Sequence, residues 1–238
     1  RVLGAVGQRG GGGGGGTIRV AVHQGEYSSA VVDQINDDTF FDFEALAVPN
    51  TGLDSIEELN AYDVVVLGNP FDTIGAQAAS AIRAWHEAGL GGVVGTAWLY
   101  YNVIYYSTAA RGDLDAVIPL NMASNDQTSI GLVTIIDSAH PVTAGLPSFG
   151  VSSGEASLSG ADAGATVLAT GGVGGVPAVI VREGAARSVW LGPAYFYSSA
   201  DLTSGNADRL LEQAVAWAGA FDSADHYLVG ANEADTLV

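Results

Sequence analysis

Two side chains in the middle of the sequence have the chemistry for acid–base catalysis. His140 precedes Pro141 in a predicted loop, and an imidazole titrates near neutral pH. Glu155 follows Ser153 and Gly154, and its carboxylate could pair with His140 across a cleft as a general acid or base. Each residue also has a structural interpretation, in which His140 fixes the turn through backbone hydrogen bonds and Glu155 is a hydrated loop acid. The sequence favours the structural role for His140 and leaves both roles of Glu155 open.

A second group of candidate residues follows the predicted strands. Strands and helices alternate through the first half of the chain, which predicts parallel strands whose carboxyl ends meet at one edge, where ligands bind. The residues predicted to line a ligand site there are Glu26, Tyr27, Asn69, Asp72, Thr96, Ala97 and Trp98. Trp98 also begins the aromatic stretch WLYYNVIYY (98–106). Such rings most often pack in a core or a domain interface, and they also stack on sugar faces.

The elements that position these residues are predicted from hydrophobic periodicity and turn residues. Helices are predicted at 28–36, 53–59, 74–88 and 207–218. Strands are predicted at 17–24, 40–48, 63–68, 92–99, 130–136, 165–169, 176–181 and 188–192, the last two forming an antiparallel pair. This order predicts an α/β fold with a mostly parallel central sheet.

The composition predicts three segments in the chain and excludes two classes of binding partner. A glycine-rich linker is predicted at residues 1–16, an α/β domain at 17–219, and a linker with the start of a β-sandwich domain at 220–238. The chain has 26 acidic residues against 8 arginines and a net charge of −18, which disfavours nucleic acid as a partner. No apolar run is long enough to span a bilayer, so we predict no membrane partner.

The absence of cysteine removes several kinds of site. The sequence has no Cys, so disulfides, thiolate catalysis and cysteine-based zinc sites are excluded. It also lacks the histidine pair of a helical zinc motif. We therefore predict no metal site and no cofactor.

Four segments, taken in order, resemble the class I glutamine amidotransferase-like superfamily, and within it the ThuA-like branch. They are YDVVVLGN (62–69), AIRAWHEAGLGGVVGTAW (81–98), AHPVTAGLPSF (139–149) and RSVWLGPAYFY (187–197). The resemblance implies a flavodoxin-like three-layer α/β/α fold with a sharp turn after the strand that ends near Gly95. In the amidotransferases this turn carries a catalytic Cys, and the matching position here is Ala97. A methyl group cannot act as a nucleophile, so amidotransferase activity is not expected. Glu155 falls where the ThuA-like pattern has an acidic residue.

The C-terminal tail and the missing nucleophile suggest the function. The tail DHYLVGANEADTLV (225–238) resembles the opening of a bacterial pre-peptidase C-terminal domain, which implies a secreted or cell-surface multidomain protein. We therefore expect a non-catalytic ligand-binding or interaction domain, with a small-molecule or carbohydrate ligand and neighbouring domains as partners. One alternative is a hydrolase-like enzyme of altered chemistry, in which His140 and Glu155 act with Glu26 or Asp72, with or without a metal. The other alternative is an accessory domain of a secreted peptidase.

Overall fold

A computed structural model describes residues 17–37, 41–172, 174–197 and 202–219 of the chain. The predicted linker (1–16) and the tail (220–238), with its resemblance to a second domain, lie outside these ranges. None of the helices within them is long and apolar enough to cross a membrane.

The predicted strands and helices are present, with bounds that differ from the predicted ones at one or both ends, and several further elements join them. The strands are β1 Ile18–His23, β2 Phe43–Val48, β3 Val64–Leu67, β4 Gly92–Thr96, β5 Gln127–Ser129, β6 Leu132–Ile135, β7 Phe149–Gly150, β8 Glu155–Ser157, β9 Thr166–Gly171, β10 Val176–Glu183 and β11 Arg187–Leu191. The helices are α1 Ser28–Ile35, α2 Ile56–Leu59, α3 Ala76–Glu87, α4 Leu99–Tyr105, α5 Arg111–Val117 and α6 Gly205–Gly219. Short 3₁₀ helices cover Asn50–Gly52 and Pro141–Thr143.

The main sheet has nine strands in the order β2-β1-β3-β4-β11-β10-β9-β6-β7. The five strands from β2 to β11 are parallel, whereas every pairing from β11 to β7 is antiparallel. The prediction of a mostly parallel sheet is therefore wrong, and the sheet is mixed. The physical reason lies in the connections, because β9, β10 and β11 are joined by turns too short for the crossover that parallel neighbours require.

Helices cover both faces of the parallel half because its strands are apolar on both sides. All four residues of β3 are buried. Val64 and Val66 belong to the core that includes α6, and Val65 belongs to the opposite core, which includes α3 and α5. The fold is therefore α/β, with β4 and its carboxyl end near the middle of the sheet.

Helix α3 ends at a glycine that the backbone requires. Gly89 has φ of 72°, in the left-handed region, and its N–H donates to the carbonyl of His86. A methyl group on Gly89 would lie 2.9 Å from the carbonyl oxygen of Ala185. Both conformation and space therefore select glycine after this helix.

The last helix returns to the start of the first strand. A methyl group on Gly219, at the end of α6, would lie 2.9 Å from Cγ2 of Ile18, the first residue of β1. Arg187, the first residue of β11, donates from Nη1 to the carbonyl of Trp217. The end of α6 thus lies at the amino edge of the parallel strands, opposite the edge predicted to bind ligand.

Candidate functional site at the carboxyl edge of the sheet

The turn between β4 and α4, called the bend below, contains a residue in an unusual backbone conformation. Trp98 has φ of 74°, and among described residues it is the one non-glycine residue in the left-handed region. A left-handed conformation costs an L residue roughly 1–2 kcal/mol, so surrounding contacts must hold the bend. Ala97, one residue earlier, is wholly buried, and its N–H donates to the carbonyl of Leu191. The side chain at the bend is therefore the indole of Trp98, whereas the methyl of Ala97 lies in the core.

The carboxylate of Glu155 holds this bend. Glu155 begins β8, and its Oε2 accepts hydrogen bonds from the backbone N–H groups of Trp98 (2.9 Å) and Tyr101 (3.3 Å). Only 6% of Glu155 is exposed. Burial raises the pKa of this carboxyl group to about 7, although the two N–H groups act in the opposite direction. Near neutral pH the group can therefore gain or lose a proton.

A polar cavity of about 240 Å³ lies beside this carboxylate. Its walls come from the bend, from β5 and from the segment that precedes β8, and they are lined by Trp98, Gln127, Thr128, Ser129, Ile130, Ser152, Ser153, Gly154 and Glu155. The cavity is lined by the hydroxyl-bearing residues Thr128, Ser129, Ser152 and Ser153. A perturbed carboxyl group in a cleft is a recognised signal of a functional site.

An aromatic surface runs along the same edge. We use this term for the rings of Tyr27, Phe71, Trp98, Tyr101, Tyr105, Tyr106 and Tyr197. Each ring lies with its centroid 4.7–6.4 Å from that of a neighbour, so the seven form one connected set. Four of the residues, Phe71, Tyr105, Tyr106 and Tyr197, are 43–57% exposed. The surface draws its residues from the ends of β1, β3, β4 and β11, which the parallel order brings together.

The aromatic stretch 98–106 does not act as a unit. Tyr100 is wholly buried, and its hydroxyl donates to Asp126 Oδ1 and to the carbonyl of Ser124. Tyr101, Tyr105 and Tyr106 instead belong to the aromatic surface. Helix α4 explains the division, because its turns direct successive side chains to different faces.

Glu26 and Asp72 form a polar margin to the aromatic surface. The backbone N–H of Glu26 donates to Asp72 Oδ2 at 3.0 Å, which joins the segment after β1 to the segment after β3. Glu26 is exposed, and Asp72 lines an open depression with Gln24, Gly25, Pro49, Asn50 and Thr73. The structure thus brings together the predicted residues Glu26, Tyr27, Asn69 and Asp72.

The side chains of Asn69 and Thr96 are buried at the carboxyl edge of the sheet and do not reach its surface. Both side chains are wholly buried. The Oδ1 of Asn69 accepts the N–H groups of Phe71 and Asp72, which fixes the turn after β3. Asn102, which was not predicted, donates from Nδ2 to the carbonyls of Asn69 and Asp72, so it fastens α4 to that turn. The sequence signal that could have indicated Asn102 is its position as the one polar residue in the aromatic stretch 98–106.

No protein-family model matches the sequence, and no curated protein matches it. Solved structures do match. A ThuA-like protein from Bacteroides uniformis ATCC 8492 aligns over 93% of this chain and 99% of its own, with a TM-score of 0.62 and 16% identity. The chain therefore shares its fold with this ThuA-like protein.

Two further structures have this fold. A GMP synthase subunit from Thermoplasma acidophilum covers 84% of this chain and 93% of its own, with a TM-score of 0.53 and 10% identity. The N-terminal domain of mmIFT52 covers 87% of this chain and 99% of its own, with a TM-score of 0.58 and 10% identity. The predicted resemblance is therefore confirmed at the level of the fold.

His140 lies away from the bend. Its Nδ1 accepts the N–H of Val142, and its ring packs edge-on against Trp217 at 5.0 Å. Trp217 is tied to Arg187 at the amino edge, whereas Glu155 contacts the carboxyl end of β4. The two edges are separated by the length of β4, which is about 13 Å for five residues at a rise of ~3.3 Å per residue. The predicted pairing of His140 with Glu155 is therefore not formed.

Proposed function

We propose that this domain is a non-catalytic, carbohydrate-binding member of the amidotransferase-like superfamily. The observation that carries the proposal is the aromatic surface, a connected set of seven rings at the carboxyl edge of the sheet with four rings largely exposed. Contiguous exposed apolar patches on a folded domain usually mark a binding site.

The chemistry of the surface suits a neutral sugar. Tyrosine and tryptophan rings offer an apolar face for the C–H groups of a pyranose and a polar group at the rim. The carboxylates of Glu26 and Asp72 lie beside the rings and can accept hydrogen bonds from hydroxyl groups. Because the chain carries a net charge of −18, an anionic glycan or a nucleic acid would be repelled.

The bend after β4 supports a non-catalytic role. In acyl transfer, backbone N–H groups near the nucleophile stabilise a developing oxyanion. Here the N–H groups of Trp98 and Tyr101 already bind the carboxylate of Glu155, and neither Ala97 nor Trp98 offers a nucleophile. We further propose, from the sequence of the tail, that the domain belongs to a secreted or cell-surface bacterial protein with several domains.

The test is a binding measurement on the full chain with soluble neutral oligosaccharides and polysaccharides. We expect saturable binding that the double variant Y105A/Y197A weakens by about tenfold or more, because loss of stacking on two rings is worth roughly 1–3 kcal/mol. Ile136, 58% exposed and outside the aromatic surface, provides the matched control Ile136→Ala, which should bind normally. Failure to bind any neutral glycan, or equal binding by the double variant, would contradict the proposal.

A second candidate is a hydrolase of altered chemistry that uses Glu155 as acid or base. It is favoured by one observation, the pKa of about 7 for a carboxyl group beside a 240 Å³ cavity. Turnover of a glycoside or amide that disappears in Glu155→Gln, while this variant still folds, would establish it. Absence of turnover of any such substrate would contradict the hydrolase function.

A further inference from the structure

A group of carboxylates lies between α1 and α6, on one face of the sheet and apart from the aromatic surface. Asp37 follows α1, whereas Asp208 and Glu212 are one turn apart on α6. One oxygen from each residue lies within 4.8 Å of the others. Asp208 is 3% exposed and Glu212 is wholly buried. Within the described ranges this is the one such set of three ligand-bearing side chains.

The buried carboxylate of Asp208 calls for a compensating charge. Asp208 takes part in none of the ion pairs found between described residues. Charged groups buried in proteins are as a rule paired with an opposite charge or bound to a metal ion.

The amide of Gln34 supplies an independent observation that points to a ligand. Gln34 is 5% exposed, and its Nε2 donates to Asp208 Oδ1 and to the carbonyl of Leu202, both at 2.8 Å. These two acceptors fix which end of the amide is nitrogen. The Oε1 of Gln34 is then a buried carbonyl oxygen without a hydrogen-bond partner in the described structure, and it belongs to the same amide that donates to Asp208. An orphaned buried acceptor costs roughly 1–3 kcal/mol, and a cation would satisfy it.

We infer that Asp37, Asp208 and Glu212, with the amide oxygen of Gln34, bind a calcium ion. Carboxylate and amide oxygens are the ligands that hard divalent cations take. Oxygens about 2.4 Å from one Ca²⁺ can lie up to roughly 4.8 Å apart, and the three carboxylate oxygens lie within 4.8 Å of one another. Calcium binds sets of protein oxygens in flexible geometry, whereas Mg²⁺ usually keeps several of its waters.

The consequence of such a site is a cross-link between two helices. Asp37 lies just after α1 and the other two carboxylates lie in the first half of α6, so one ion would join elements that are distant in the chain. Tyr195 lies beside the cluster, because its hydroxyl donates to the carbonyl of Ala207, next to Asp208. This tyrosine can sensitise the luminescence of Tb³⁺, a calcium analogue.

The test is a titration of the chelator-treated full chain with Ca²⁺, Mg²⁺ and Tb³⁺, followed by calorimetry, thermal unfolding and tyrosine-sensitised emission. We expect one Ca²⁺ per chain, a higher unfolding temperature with calcium, and Mg²⁺ binding at least about tenfold weaker. Asp208→Asn should lower calcium affinity by about tenfold or more. The control is Asp33→Asn, which makes the same charge change at an exposed position of α1 and should retain full affinity.

The wild-type titration keeps the inference testable even if Asp208→Asn fails to fold. No saturable calcium binding by the wild-type chain would overturn the site. Binding that Asp208→Asn leaves unchanged would place any calcium elsewhere, and tighter binding of Mg²⁺ would refute the calcium assignment. These outcomes are independent of glycan binding, because the aromatic surface contains none of the four ligands.

Discussion

Replacing Glu155 by glutamine should make the stability of the domain less dependent on pH. In the folded chain the pKa of this carboxyl group is about 7, compared with an ordinary value of 4.5. Between these two pKa values the carboxyl group of Glu155 is protonated in the folded state and ionised in the unfolded state. Wild-type stability should therefore decline between about pH 4.5 and pH 7.

The size of this decline follows from the two pKa values. The difference between 4.5 and about 7 corresponds to roughly 3 kcal/mol of stability that is present at low pH and lost above pH 7. Glutamine carries no charge, and its amide oxygen can still accept the N–H groups of Trp98 and Tyr101. Glu155→Gln should therefore match the wild type near pH 4.5 and exceed its free energy of unfolding by ~1–3 kcal/mol at pH 8.

Urea unfolding of both proteins from pH 4.5 to pH 8 measures this difference. Histidines titrate in the same range, but they contribute equally to both proteins and cancel in the difference. Glu57, exposed on α2, provides the control Glu57→Gln, which should follow the wild-type curve. If the difference between Glu155→Gln and the wild type stays constant across this range, the buried ionisable carboxylate at the bend is refuted.

Three further substitutions test the supports of the fold and the site. Gly89→Ala should lower the free energy of unfolding by about 1–2 kcal/mol, measured in urea, because of its left-handed backbone and the nearby carbonyl of Ala185. Asn102→Ala should cost about 2–3 kcal/mol in the same assay, since two carbonyl oxygens would lose their donor. At Asp126 burial acts to raise the pKa, but serine and tyrosine hydroxyls outweigh it and hold the pKa well below 3.8. That stabilisation is present above pH 4 and lost in acid, so Asp126→Asn should be less stable at pH 7 and show a shallower acid transition.

The sequence predicted the elements whose pattern is local and periodic. Continuous apolar runs indicated β3 and β4, and helical spacing with a following glycine indicated α3 and its end at Gly89. These patterns involve residues close together in the chain, so they predict local structure without knowledge of tertiary contacts. Their order also placed the ends of β1, β3 and β4 at one edge, which is where the structure has the candidate site.

The parts that were missed depend on contacts distant in the chain. The predicted strand 92–99 ends at Thr96, because Glu155, more than fifty residues later, stabilises the reversal at Trp98. The mixed sheet was not predicted because strand direction beyond β11 follows from pairings that hydrophobic periodicity does not encode. The separation of His140 from Glu155 is of the same kind, since a spacing of fifteen residues says nothing about opposite edges of a sheet.

The contact between Gly219 and Ile18 has a practical consequence for engineering. Where a domain enters and leaves through adjacent points, it can be inserted into a host loop or circularly permuted with a brief joining peptide. Here Ile18 and Gly219 lie at the amino edge of the parallel strands, whereas the aromatic surface lies at their carboxyl edge. A host protein or a solid support attached at that pole would leave the opposite pole exposed to solvent.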